Sequence, residues 1–90
     1  MEYADSVLRF YQSLSGKIKD SHLVTLKLYM TVISVECENR HTGDVEMYTM
    51  NYYLKSNEEI HNCLVDLEEK IIEHLRPRRY QNEGSPRVPG

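Results

Sequence analysis

The sequence predicts an α+β fold in the order α-β-β-α, a long antiparallel β-hairpin packed on two helices. Three observations predict it. Apolar residues recur at helical spacing near the N-terminus. Residues 24–56, VTLKLYMTVISVECENRHTGDVEMYTMNYYLKS, alternate as strands around one evident turn. A second amphipathic run follows Ser56 and stops before Pro77.

The first helix is expected over residues 2–15. Tyr3, Val7, Phe10 and Leu14 form one stripe, with Ala4, Leu8 and Tyr11 beside it. Gly16 stands where a left-handed C-terminal residue is expected, and Lys17 and Lys19 suit the negative end of the helix dipole. The second helix carries stronger signals. Ser56 with Glu59 three residues on forms a capping box, and Glu58 and Glu59 favour the helix start. Ile60, Cys63, Leu64, Leu67, Ile71, Ile72 and Leu75 trace one apolar stripe, and Pro77 forbids continuation.

Between the helices, ENRHTGD supplies the turn, with Gly43 able to take a positive φ. The apolar residues of this ribbon change face. Leu26, Leu28, Met30 and Val32 occupy even positions, whereas Ile33, Val35 and Cys37 occupy odd ones. Two registers of equal parity fit, pairing Leu28 with Leu54 or Leu26 with Leu54, and the second avoids opposing Lys27 to Lys55. On either, the hairpin base with Met50, Tyr52 and Leu54 faces the helices. The tip then turns Ile33, Val35, Cys37, Val45 and Met47 the other way, as a protein interface with a second copy or another partner. Twist, or a bulge near Val32–Ile33, would instead bring both segments onto one core. Glu36, Glu38, Asp44 and Glu46 are expected on the opposite side of the tip.

Ninety residues make one domain, here 1–76, followed by an Arg/Pro-containing tail, 77–90, expected to be disordered. Residues 1–75 carry seven Lys/Arg against thirteen Asp/Glu, a net −6, and residues 76–90 carry four Arg against one Glu, a net +3. An acidic body with a basic tail gives the tail a role of its own, in nuclear import or partner docking. Cys37 and Cys63 form no disulfide framework or metal motif, which fits reduced thiols and a cytoplasmic or nuclear setting. The N-terminal segment opens acidic and amphipathic, unlike a signal peptide, and no run is long enough to span a bilayer.

The residues of chemistry do not assemble into a catalytic motif. His61 and His74 stand thirteen apart, which is no ligand spacing, and no phosphate loop, nucleophile elbow or HExxH occurs. Neither an enzyme nor a cofactor is expected. A nucleic-acid surface is the alternative. Lys27, Tyr29, Tyr53 and Lys55 would lie on one sheet face, and Arg76, Arg78 and Arg79 would add phosphate contacts. The element order is similar to that of a double-stranded-RNA-binding domain, which has one more strand. The basic loop and basic helix start of that family are absent, since this helix opens Asn57-Glu58-Glu59, and the chain is not assigned to it. The expectation is a non-catalytic regulatory or accessory module, homodimeric through the distal hairpin, with a protein partner. A short chain with such a tail suits a virus-encoded protein.

Overall fold

The computed structural model describes residues 3–75. Its elements are α1 (Tyr3–Ile18), β1 (His22–Leu28), β2 (Val32–Asn39), β3 (Val45–Asn51) and α2 (Asn57–His74), an α-β-β-β-α order of the α+β class. The three strands form one antiparallel sheet in the order β1-β2-β3. Both helices lie on one side of it. They pack on each other, α1 against β1 and α2 against β3. The expected tail, 77–90, lies outside the described residues.

The expected long first strand is two strands. β1 ends at Leu28, and a tight turn through Met30 and Thr31 returns the chain as β2, with the Tyr29 N–H donating to the Val32 carbonyl at 2.8 Å. This turn explains the change of face. A two-residue reversal shifts the parity of the inward positions, so Val24 and Leu26 before it share a face with Ile33, Val35 and Cys37 after it. The β2–β3 register follows suit. Ile33 opposes Met50, Val35 opposes Tyr48 and Cys37 opposes Glu46, a parity opposite to both expected registers.

One core results. Val7, Phe10, Leu14 and Ile18 of α1 and Ile60, Leu64 and Ile71 of α2 close over Val24, Ile33, Val35 and Cys37. Ile33, Val35 and Cys37 have no exposed surface. They face the chain's own helices, so the expected interface reduces to Val45 and Met47, which are exposed on the other side of the sheet. Conversely, Leu28, Met30 and Leu54, expected in the core, are exposed: Leu28 ends the edge strand β1, and Met30 and Leu54 fall in the connections after β1 and β3. Each complete burial of a side chain of this size contributes roughly 1.5–3 kcal/mol, which explains why the chain puts the Ile33 segment inside.

Packing also sets the first helix's length. Gly16, expected to end it, lies within α1, which continues to bury Ile18. A mid-helix glycine costs roughly 0.5–1 kcal/mol. The extra turn offsets this by burying Ile18, and it carries Lys17 to 3.0 Å from Glu68 of α2. The capping box at Ser56 is present as expected, with the Glu59 N–H donating to Ser56 Oγ at 3.1 Å and the Ser56 N–H to Glu59 Oε1 at 2.8 Å. The four acids expected on one face of the tip are divided. Glu36 and Glu38 lie on the open face, and Glu46 takes the register position opposite Cys37, on the helix side.

Candidate functional site

The open end of the sheet, where the β1–β2 turn meets the β3–α2 loop, is the candidate site. Sequence gives it an unusual character, since both connections carry large apolar side chains rather than the polar residues common in turns. Met30 is 93% exposed and Leu54 85%, with Leu28, Tyr29 and Tyr53 exposed around them.

Neither connection is loose. The Tyr52 N–H donates to the Thr31 carbonyl at 2.8 Å. The Tyr52 hydroxyl lies 2.8 Å from both the Tyr29 and Met30 carbonyls, so one proton is shared between two acceptors. Its ring stacks on Tyr3 of α1, centroid to centroid 5.4 Å. Tyr52 thus ties the first turn to the third strand and the first helix.

The second connection is built from consecutive local motifs. Asn51 Oδ1 accepts from the Tyr53 N–H at 2.8 Å, and the Lys55 N–H donates back to the Tyr52 carbonyl at 3.2 Å. Within that turn Leu54 takes φ +62, the third position of a type II turn, where glycine is usual. A leucine there costs roughly 1–2 kcal/mol. The capping box then closes the loop onto α2. Two bulky apolar side chains are therefore held in water on fixed backbone, one of them at a conformational cost.

The residues expected to bind nucleic acid are partly gathered here. Tyr29, Tyr53 and Lys55 belong to these two connections, with Lys27 just inside β1. Lys27, however, is engaged with Glu36 at 3.2 Å across the open face of the sheet. Arg76, Arg78 and Arg79 lie outside the described residues. Val45 and Met47 stand on the open sheet face opposite Glu38 and Glu36, towards the other end of the sheet.

Several polar side chains elsewhere are buried or engaged with one another. Ser6 stands 3.4 Å from His61, but with 3% of its surface exposed it presents no accessible hydroxyl. His22 is buried beside Ser21, at 2.7 Å; desolvation lowers its pKa, and Glu46 opposes that shift in part. Burial, with Glu46 adding, pushes the Cys37 thiol up to about 11, which leaves it a neutral core residue. Burial, with Glu46 and Cys37 adding, pushes the Tyr48 phenol up to about 12, and its hydroxyl bonds His74 Nδ1. Among the described residues, no group of three His, Cys, Asp or Glu side chains forms a metal site.

Sequence reasoning assigned Met30 and Leu54 to the core and so missed this end. Their signal was available. Both lie where the alternation breaks, beside Tyr29 and Tyr53. No protein-family model, curated protein or solved structure matches the chain.

Proposed function

We propose that the chain is a non-catalytic protein-interaction module, a regulatory or accessory protein that inserts Met30 and Leu54 into an apolar groove of a partner. The observation that carries this is Leu54, an 85% exposed leucine held at φ +62. Exposure alone is common, but a strained residue persists only where its surroundings fix it, and such positions cluster at ligand clamps. Rigid apolar anchors flanked by tyrosines resemble the buried centres of interfaces, since fixing them beforehand reduces the entropy lost on binding. The two free cysteines are consistent with action in the cytoplasm or nucleus.

The test is capture by a photo-crosslinker placed at position 53. A partner trapped by the wild-type chain, lost with Met30→Glu/Leu54→Glu and retained with Met47→Glu supports the reading. Equal capture by the double variant overturns it.

The second reading, RNA or DNA binding, draws on Tyr29 and Tyr53 meeting at one end with Lys55 nearby. Aromatic stacking and backbone charge are its physical basis. Against it stand the net −6 of residues 1–75 and the Lys27–Glu36 pair. A gel shift at low salt decides it. Retardation that Tyr29→Ala/Tyr53→Ala abolishes would replace the protein partner with a nucleic acid.

A further inference from the structure

The two edges of the sheet differ in the surfaces that lie beside them. Antiparallel pairing alternates, so each β1 residue turns its backbone N–H and C=O either to β2 or away from it. The Tyr29 N–H donates to the Val32 carbonyl and the Arg40 N–H to the Ser21 carbonyl, each at 2.8 Å, so the odd residues of β1 face β2. His22, Val24, Leu26 and Leu28 therefore direct their backbone polar groups outward. Among the described residues no strand pairs with that edge.

Beside the edge runs an open groove of about 520 Å³, lined by Ala4, Leu8 and Tyr11 of α1 and by Val24 and Leu26 of β1. Leu8 is 54% exposed within it. This is a second apolar stripe on α1, next to the stripe that fills the core, and none of these lining residues is charged. Exposed strand edges are usually protected by lysine, proline or a bulge. β1 has no proline, its register with β2 is unbroken, and its one lysine, Lys27, is held by Glu36 of β2 at 3.2 Å.

We propose that two copies join antiparallel through β1, forming a continuous six-stranded sheet with Leu8 and Tyr11 of both copies closing the groove above it. The strand is complementary to itself. With Thr25 on the two-fold axis the whole of β1 pairs: His22 with the second copy's Leu28, Leu23 with its Lys27, and Val24 with its Leu26. The outward-directed residues then meet one another and exchange about eight backbone hydrogen bonds. Lys27 opposes a leucine rather than another lysine, so no like charges face across the ladder.

The β3 edge lacks this match. It adjoins α2, whose exposed side carries Asp66, Glu69, Lys70 and Glu73, and self-pairing there would bring acidic surfaces together. The interface proposed at β1 is separate from the Met30–Leu54 end, and each can fail alone.

Light scattering over a dilution series tests it. The wild-type chain is expected to approach twice 10.6 kDa at high concentration. Leu8→Glu, on an exposed helix position, is expected to stay at the monomer mass with an unchanged circular dichroism spectrum, and Met47→Glu to follow wild type. Hydrogen exchange on wild type alone supplies a second measure, with slower exchange of the Val24 and Leu26 amides as concentration rises and no change at Met47 or Thr49. A wild-type chain that is monomeric throughout overturns the proposal, as does a dimer that Leu8→Glu leaves intact. Concentration-dependent protection on β3 instead of β1 also overturns it. Failure of the wild-type chain to capture any partner, with the dimer intact, would instead count against the Met30–Leu54 reading alone.

Discussion

The two turns of the sheet are built in opposite ways, with two residues between Tyr29 and Val32 and four between Asn39 and Asp44. Between β2 and β3 the turn is specified mainly by its own residues, although Arg40 also donates to the Ser21 and Lys19 carbonyls, each at 2.8 Å. Asn39 Oδ1 accepts from the His41 and Thr42 N–H groups at 2.8 and 3.0 Å, the Asp44 N–H donates to Thr42 Oγ1 at 3.2 Å, and Gly43 takes φ +80. Between β1 and β2, Met30 and Thr31 contain no glycine, asparagine or aspartate, and neither takes a positive φ. Two-residue hairpins of that kind match strand twist poorly. This one is held from outside, by the hydroxyl and N–H of Tyr52, just past the end of the third strand. A locally specified turn leaves its side chains polar. A turn specified from a distance is free to carry apolar ones, and that freedom puts Met30 on the surface.

The largest expected effect tests the consequence of the remote turn. If it sets the face of β2, Ile33→Ala opens a cavity in the monomer and lowers unfolding free energy by about 3 kcal/mol. A loss of dimer mass without a loss of monomer stability would restore Ile33 to an interface. Thiol chemistry checks the same placement: Cys63 should alkylate while Cys37, wholly buried, stays protected until the chain unfolds.

Next comes the contrast itself. Tyr52→Phe should destabilise by about 1 kcal/mol, the scale of a lost hydrogen bond. Hydrogen exchange should accelerate at Tyr29 and Val32, far in sequence from the substitution. Asn39→Ala should cost a similar amount, with acceleration confined to residues 39–44. Release at Met30 by the second variant, or none there by the first, would erase the distinction.

Backbone strain should separate the ends with opposite signs. Gly43→Ala costs about 1 kcal/mol, and because no atom lies within 4 Å of the added Cβ, the cost is conformational. Leu54→Gly should stabilise by roughly 0.5 kcal/mol, since relief of the left-handed leucine exceeds the added chain entropy. It should weaken partner capture at the same time.

The smallest effect is acid sensitivity at the polar end. His22 opposes Asn39, and its folded pKa lies below the ordinary value of 6.5 because burial disfavours the charged ring. The unfolded chain therefore takes up the proton first. The stabilisation is complete above 6.5 and is lost as pH falls below it towards the folded pKa. Denaturation midpoints should drop as pH falls below 6.5, and His22→Gln should flatten that dependence.

Most of the helical framework was legible. The Ser56–Glu59 capping box, the stripe from Ile60 to Ile71 and the turn at Gly43 are each specified by residues within a few positions of one another. The face of the ribbon was misjudged for a physical reason. Alternation marks which residues share a side of a strand, but it cannot mark a reversal that has no turn residues in it. A strand that ran on through Met30–Thr31 would turn Ile33, Val35 and Cys37 outward and Met30 and Leu54 inward together.

The sequence by itself determined the class, the two helices and the polar turn, because capping, periodicity and positive-φ residues act over one or two turns of chain. Tertiary structure alone decided that the ribbon is three strands, that Ile33–Cys37 lies inside and that Met30 and Leu54 lie outside. Those outcomes depend on Tyr52 reaching a turn more than twenty residues away. Local sequence patterns do not encode a hydrogen bond of that length.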